Sequence, residues 1–403
     1  MPDNLYYTQR IRGFQQQSKE YRKESLIYSL RRTKHRCPRC GSTEVVTEPI
    51  SRRSIRGEPM GSCREVRFEF TSHRLYCRRC KARTMEHIPF LSHPKAQITR
   101  ALERTVLELR QYMSLRAVAT YFRLRWHTIK ELEKKHLRKR FSKIHAQGVK
   151  AIGIDEIHVG SGKADSQYLT IVRDLDSGAV LYVGDGKGIA ALAGALKVLK
   201  KSKIRVITMD MANAYYNWFS VNFPKAHIVF DHFHVIKLMN DKLDHVRRRV
   251  VATLDQRQQR QLKGLRFVFL KNNEDLPEDV KPILHNLRGD FQDLGDAYMF
   301  KEALRSIYKQ AKTSYHARIA FHRWCRLAEE TKVPELQTMA GTIRDKLDGI
   351  VSFWTFRHIS NASMEGFNNK IRWLIRQAYG FRDREYFKLK IFQLPEISCE
   401  KEA

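Results

Sequence analysis

Ala151-Ile-Gly-Ile-Asp-Glu-Ile-His-Val-Gly160 is a short apolar run that ends in acid. At the two-residue period of a strand, Ala151, Gly153 and Asp155 share one face, and Ile152, Ile154 and Glu156 take the other. A carboxylate on so apolar a strand is costly to bury unless something pairs with it. A single strand-end aspartate needs no more than a hydrogen bond to nearby backbone. The pattern recurs, however: Arg205-Val-Ile-Thr-Met-Asp210 and His227-Ile-Val-Phe-Asp231 are further apolar strands ending in aspartate. Three such ends in one basic chain point to a carboxylate site for divalent metal.

Working outward, Gln167–Arg173 and Ala179–Val183 read as two more strands joined by a turn at Asp176-Ser-Gly178. Ile189–Lys200 has the spacing of an amphipathic helix, with Leu192, Leu196 and Leu199 on one face. A helix over Ala212–Phe223 leads to the Asp231 strand. Three strands, helix, strand, helix, strand is the ribonuclease H order: an antiparallel triplet extended by parallel strands through crossover helices. Residues 149–235 are the first part of that core. In this topology the strand after the first helix lies beside the central strand, so Asp210 is the expected partner of Asp155. Asp231 lies one strand further out, and with His234 it is expected to orient neighbouring groups rather than to bind metal directly.

Beyond residue 235 the strand pattern stops. Residues 236–351 read as a helical insertion, punctuated at Leu276-Pro-Glu-Asp and Lys332-Val-Pro-Glu. Within it Trp324, near Arg323 and Arg326, is a candidate to stack on an unpaired base. Residues 352–395 return to the core. There Glu365, Asn368, Asn369, Arg372 and Arg376 fall on one polar helix face, opposite Ile371, Leu374, Ile375 and Ala378. Glu365 stands where the fold still lacks a third carboxylate.

Upstream, residues 1–36 read as a polar, basic arm with helical spacing at Leu26, Ile27 and Leu30, of the kind that orders on DNA. Residues 37–90 read as a zinc-ribbon-like domain. Cys37-Pro-Arg-Cys40 and Cys77-Arg-Arg-Cys80 are two knuckles able to close a four-thiolate zinc site with no open position. Cys63, Cys325 and Cys399 read as isolated thiols. Residues 94–142 have the layout of a helix-turn-helix: a helix over 94–111, a second capped by Ser114, a turn at Arg123-Leu-Arg125, and a third from Trp126. Trp126, His127, Thr128 and Lys130 begin the candidate recognition helix, where base contacts are made.

The 403 residues carry 75 Lys and Arg against 43 Asp and Glu, a formal net charge of +32, spread over most of the chain. That excess suits a long polyanion touched by several domains. No run of 18 apolar residues exists, so no membrane contact is expected. Seven cysteines, four of them in knuckles, fit a reducing cytoplasm and metal rather than disulfides.

The chain resembles the ISL-three group of bacterial insertion-sequence transposases, which carry a DDE catalytic domain. The resemblance rests on Ile154-Asp-Glu, Met209-Asp-Met-Ala-Asn-Ala-Tyr215, Phe230-Asp-His-Phe-His-Val235, Glu365-Gly-Phe-Asn-Asn-Lys-Ile-Arg372 and Ala378-Tyr-Gly-Phe-Arg382, in that order. It implies an acidic triad of Asp155, Asp210 and Glu365, two Mg²⁺ (or Mn²⁺) ions alongside the structural Zn²⁺, and DNA contacts from Arg372 and Arg376. It also implies binding to double-stranded DNA, both terminal inverted repeats and target, by a homo-oligomer (dimer or higher) at the bacterial nucleoid. The expected fold is a multidomain α/β chain: a ribonuclease H-like core interrupted by an all-α insertion and preceded by zinc ribbon and helix-turn-helix. Two other readings stay open at this point: a transcription regulator derived from a transposase, and a structure-specific nuclease of the same fold.

Overall fold

The computed structural model describes residues 4–160, 167–256, 259, 266–276, 278, 291–356 and 362–399. The chain divides into two compact units, Met1–Ser142 with Gln377–Leu389, and Lys143–Arg376 with Lys390–Ala403.

In the first unit a short helix α1 (Asn4–Gln9) precedes strands β1 (Phe14–Arg22), β2 (Ser25–Arg32), β3 (Val45–Gly57), β4 (Glu65–Cys77) and β5 (Arg83–Met85). They form one sheet in the order β1-β2-β4-β3, with β5 on β4. The expected N-terminal arm is therefore corrected: residues 14–32 are an antiparallel hairpin whose second strand pairs in parallel with β4. Leu26, Tyr28 and Leu30 are the buried set, at period two. Reading Leu26, Ile27 and Leu30 as a helical face mistook one short apolar cluster that fits both periods. Phe14, Ile55, Val66, Phe68, Phe70 and Phe90 complete this core.

Three helices follow: α2 (Arg100–Leu109), α3 (Leu115–Phe122) and α4 (Trp126–Arg140). The helix expected from residue 94 starts later, because Gln97 and Thr99 are held to β3: Arg56 N–H donates to Gln97 O at 3.0 Å and Thr99 N–H to Arg56 O at 2.8 Å. Thr99 then caps α2, and Ser114 Oγ accepts the Ala117 N–H at 3.1 Å to cap α3. The α3–α4 turn has no glycine; Arg123 takes the left-handed position, with φ +50°. Leu102, Val106, Val118, Phe122 and Ile129 pack together inside.

The second unit is built on β6 (Ala151–His158), β7 (Tyr168–Asp174), β8 (Val180–Asp185), β9 (Val206–Met209) and β10 (His227–Phe230). The sheet order is β10-β9-β6-β7-β8, antiparallel among β6, β7 and β8 and parallel along β6, β9 and β10. A 3-10 turn (Ile189–Leu192) and α5 (Ala195–Leu199) replace the single helix expected over 189–200, and α6 (Asn213–Asn222) connects β9 to β10. The helices α7 (His232–Ala252), α8 (Arg266–Leu270), α9 (Gln292–Gln310), α10 (Ser314–Glu330), α11 (Pro334–Asp345) and α12 (Leu347–Thr355) span the region expected to be a helical insertion; α13 (Ala362–Gln377) and α14 (Arg384–Cys399) follow. Ile152, Ile154, Met209, Phe230, Met239, Leu294, Phe321, Leu336 and Trp354 belong to one buried cluster, so sheet and insertion share a core. Among the described residues no helix is long and apolar enough to cross a membrane.

Candidate active site and DNA-binding elements

Strand register sets the two aspartates side by side. Gly153 of β6 pairs with Thr208 of β9, and each aspartate follows its partner by two residues. Asp155 and Asp210 thus reach the same height on adjacent strands, about 4.8 Å apart in backbone spacing. Phe230 pairs with Met209, which sets Asp231 beyond Asp210 at the end of the outer strand.

Gly153 also sets how closely α13 can approach. A Cβ there would lie 2.8 Å from Met364 Cγ on α13 and 2.8 Å from Leu175 Cδ2. With that space open, Asn368 of α13 donates its Nδ2 to Asp155 Oδ2 at 2.6 Å, while the Glu156 N–H donates to Oδ1 at 2.8 Å. Arg173 of β7 fastens the first turn of α13: its Nη1 donates to Ser363 O at 2.9 Å, and its guanidinium lies 4.0 Å from the Phe367 ring centre. Burial lowers the Arg173 pKa to about 10.

Burial pushes the Asp155 carboxyl above the usual aspartate range. The Asp210 charge adds to this, against the opposing pull of the Glu156 N–H, His234 and Asn368. Asn368 is buried, and its Oδ1 has no hydrogen-bond partner among the described residues. A buried carboxylate repelled by its neighbour, beside an orphaned amide oxygen, is a set of hard oxygen donors that a divalent cation would satisfy. Asp210 Oδ1 accepts the Ala212 N–H at 3.1 Å. Nearby, the Lys346 ammonium donates to Met211 O and feels the Asp210 charge.

Glu365 lies exposed in the first turn of α13, one turn before Asn368. Among the described residues the three carboxylates do not form a single compact ligand cluster. In a two-ion site the ions stand about 3.5–4 Å apart, so ligands of different ions need not touch. The polar stripe is narrower than expected: Asn368 turns inward with Met364, Phe367, Ile371 and Leu374, leaving Glu365, Asn369, Arg372 and Arg376 exposed. Arg372 Nη1 donates to Asn369 Oδ1 at 2.7 Å.

Asp231 caps α7, accepting the Phe233 N–H at 3.1 Å with His232 Nδ1 at 3.2 Å. Burial raises its pKa, but the His232 and Phe233 hydrogen bonds outweigh that and hold it below the ordinary range. His234 lies one turn on, in α7. Glu156 points away from this group and accepts from Tyr215 Oη and from Gly188 N–H at 3.2 Å. Asn368 and Lys346 were missed in the sequence. Asn368 had a signal, its helical spacing from Glu365; Lys346 had none.

In the first unit Cys37, Cys40, Cys77 and Cys80 converge. Cys37 Sγ lies 3.6 Å from Cys80 Sγ, and Cys40 Sγ lies 3.5 Å from Cys77 Sγ. A zinc–sulfur bond of 2.3 Å implies a tetrahedron edge of about 3.8 Å, so the four thiols fit such an ion. The Cys80 N–H holds the Cys77 thiol down, to about 6. Cys63 is buried in the sheet core and Cys325 in the helical core, where its Sγ donates to Ala340 O at 3.7 Å.

At the start of α4, Trp126, His127 and Thr128 are exposed. Lys130 is corrected: its Nζ lies 2.6 Å from Asp383 Oδ2, so it is committed within the unit. Trp324 is corrected too. It is 3% exposed, its Nε1 donates to Phe300 O at 3.0 Å, and its ring meets Phe300 edge-on, so it packs the insertion and offers no face to a base.

A profile of the transposase family of the ISL3 DDE type matches residues 152–391. The transposase for insertion sequence element IS1001 of Bordetella parapertussis is 30% identical over 362 residues, 88% of this chain and 87% of that protein. The transposase for IS1557 of Mycobacterium tuberculosis is 28% identical over 380 residues, 86% of this chain and 82% of that protein. Among solved structures, the Drosophila P element transposase strand transfer complex aligns with a TM-score of 0.41 at 12% identity, over 74% of this chain and 91% of that one. The chain belongs to the ISL3 family of insertion-sequence transposases, and its function is that of a DNA transposase.

Proposed function

We propose that this transposase cuts and joins DNA phosphodiester bonds at the terminal inverted repeats of its element, in a ribonuclease H-like core with two Mg²⁺ or Mn²⁺ ions. The observation that carries this reading is the parallel β6–β9 register, which aligns Asp155 with Asp210 where Asn368 of α13 meets Asp155. Asp155 would face both ions, Asp210 and Glu365 one each. Bound there, the ions would lower the pKa of an attacking water or 3′-hydroxyl and stabilise the leaving oxygen. Asn368 holds the Asp155 carboxylate in place, and Arg173 holds the turn that carries Glu365. Asp231 organises the first turn of α7, which carries His234. No protein nucleophile is required.

In the first unit, Trp126, His127 and Thr128 would read bases, Arg and Lys side chains would hold phosphates, and the four cysteines would hold a structural zinc. Arg372 and Arg376 would add phosphate contacts. The active assembly would be a homo-oligomer on DNA. The test is incubation of the protein with DNA carrying its element's ends and a target duplex, with Mg²⁺ or Mn²⁺. Cleavage and end joining, both lost in Asp210→Asn, support the reading. Cutting that ignores end sequence and joins nothing would make it a nuclease, and end binding without cutting a regulator.

A further inference from the structure

A second group of metal-ligating side chains lies in the first unit, apart from the cysteines. His35, His73 and Glu86 bring one ligand atom each within 4.8 Å of one another. They come from three places in the fold: the segment between β2 and the first knuckle, the middle of β4, and the residue after β5. His35 Nδ1 stands 3.4 Å from Glu86 Oε2, and His73 Nδ1 stands 3.4 Å from Glu86 Oε1. Tetrahedral zinc with nitrogen and oxygen ligands at about 2.0–2.1 Å has an edge of about 3.3 Å. Each histidine faces its own oxygen of the Glu86 carboxylate at close to that edge, and one ligand atom from each of the three residues lies within 4.8 Å of the others.

The carboxylate is buried and pre-aimed. The Glu86 side chain is 1% exposed. The His73 N–H donates to its Oε1 at 2.7 Å, and the Glu86 N–H donates back to His73 O at 3.0 Å. Oε2 and His35 Nδ1 are both buried and face each other at 3.4 Å, with no hydrogen-bond partner besides that contact among the described residues. A buried carboxylate oxygen and a ring nitrogen held only by one another are weakly satisfied. A cation shared between them would satisfy both.

The surroundings fit the same account. Arg32 donates to Lys34 O at 3.1 Å and to His87 O at 3.0 Å, gripping the backbone beside two of the three ligands. Arg53, whose charge also reaches Glu86, is committed to Pro94 O and Ala96 O at 2.7 Å each. Neither guanidinium is hydrogen-bonded to Glu86, so both act as outer supports of the ligands. A register shift between Pro49 and Ser51, opposite His73 and Ser72, bends the β3–β4 ribbon at this level.

We propose that His35, His73 and Glu86 form a second metal site, for a zinc-class divalent ion, that pins the bend of the β3–β4 ribbon. His73 and Cys77 lie on one face of β4, four residues apart, which separates the two sites by about 13 Å. With three protein ligands, this site keeps a fourth position for water, unlike the closed four-thiolate site.

The test is metal content of the full-length protein by mass spectrometry after dialysis, together with cobalt substitution. Wild type is expected to hold two equivalents. Glu86→Gln keeps an oxygen for the His73 N–H but is a poor ligand, and His35→Ala removes a ring whose polar contact is the 3.4 Å one to Glu86 Oε2. Each is expected to fall to one equivalent with the thiolate-to-cobalt charge-transfer band undiminished, which also reports that the ribbon is folded. Cys40→Ser is expected to lose that band and keep one equivalent of cobalt without thiolate character. One equivalent in wild type with the thiolate band at full strength, or two retained in both Glu86→Gln and His35→Ala, would overturn the proposal.

Discussion

Replacing Gly153 with alanine tests whether the seating of α13 on β6 governs chemistry. The added Cβ meets Met364 Cγ and Leu175 Cδ2 at 2.8 Å and Met364 Sδ at 3.0 Å. Carbon atoms attract at about 3.5–4.0 Å, so the neighbours must retreat by about 0.7 Å or more. Leu175 can swing its methyl away, but Met364 is fully buried, so its side chain has little room to turn and the strain is expected to push on α13. A shift of that size stretches the 2.6 Å Asn368–Asp155 bond toward its breaking distance and moves Glu365 with the same helix. Overpacking of this kind costs about 1–3 kcal/mol of stability. A displacement near 1 Å at a reacting centre costs about 100-fold in rate. The assay is cleavage of end DNA with Mn²⁺ beside a urea melt and a gel shift. Cleavage should drop about 100-fold with end binding unchanged, since binding is assigned to the other unit. Combining Gly153→Ala with Met364→Ala should cost less stability than the sum, by about 0.5–3 kcal/mol. Wild-type cleavage by a measurably destabilised Gly153→Ala protein would refute the link between α13 seating and catalysis.

Asp210→Asn is expected to abolish cleavage with DNA binding intact, whereas Asp231→Asn keeps a measurable residue, about 10–100-fold below wild type, because Asn still caps α7; robust cutting by Asp210→Asn in the same gel assay would reverse the roles. Asp383 gives a pH prediction. Burial raises its pKa, but Lys130 and Lys134 more than offset that and hold it far below the usual range. Its ion pairs therefore stabilise fully above the unfolded value of about 3.9 and are lost as pH falls below it. Urea melts from pH 6 to about 3 should show less acid sensitivity in Asp383→Asn than in wild type, and identical slopes would exclude the pairing. Trp324→Phe should cost about 1 kcal/mol, the lost bond to Phe300 O, without changing the pattern of nicked and joined products; a folded variant stalled after the first nick would return Trp324 to DNA.

The sheet of the second unit was legible because its strands are strongly apolar and end in acid, so order and parallelism followed from the connections around Ala151–His158. The N-terminal sheet was not. Eight of the nine residues of β1 lie outside the core, with only Phe14 buried, so nothing in Phe14–Arg22 alternates between apolar and polar. A strand held by backbone pairing and one anchor leaves no period to find. The cysteine knuckles could be read from spacing, since their ligands are local pairs. His35, His73 and Glu86 could not, because each is alone in its stretch and only pairing of β4 with β5 brings the last two together. Asn368 was assigned to a solvent face because helix geometry gives an angle, not a depth. Trp324 and Lys130 were given to DNA on type and neighbours, and their partners Phe300 and Asp383 are remote in sequence.

The helices between β10 and α13 separate two stretches of the second unit in sequence, yet they do not separate its interior. Ile152 and Ile154 of the sheet and Phe321, Ile350 and Trp354 of the insertion belong to one apolar cluster, and Gly349 of α12 lies so near Phe230 of β10 that a methyl group would overlap its ring at 2.5 Å. Two segments that share one interior melt together. The insertion is therefore not a module that an evolving lineage could trade or a protein engineer could excise. Shortening it would strip one side of the sheet that carries the aspartates, and a smaller transposase of this kind would need a newly invented core.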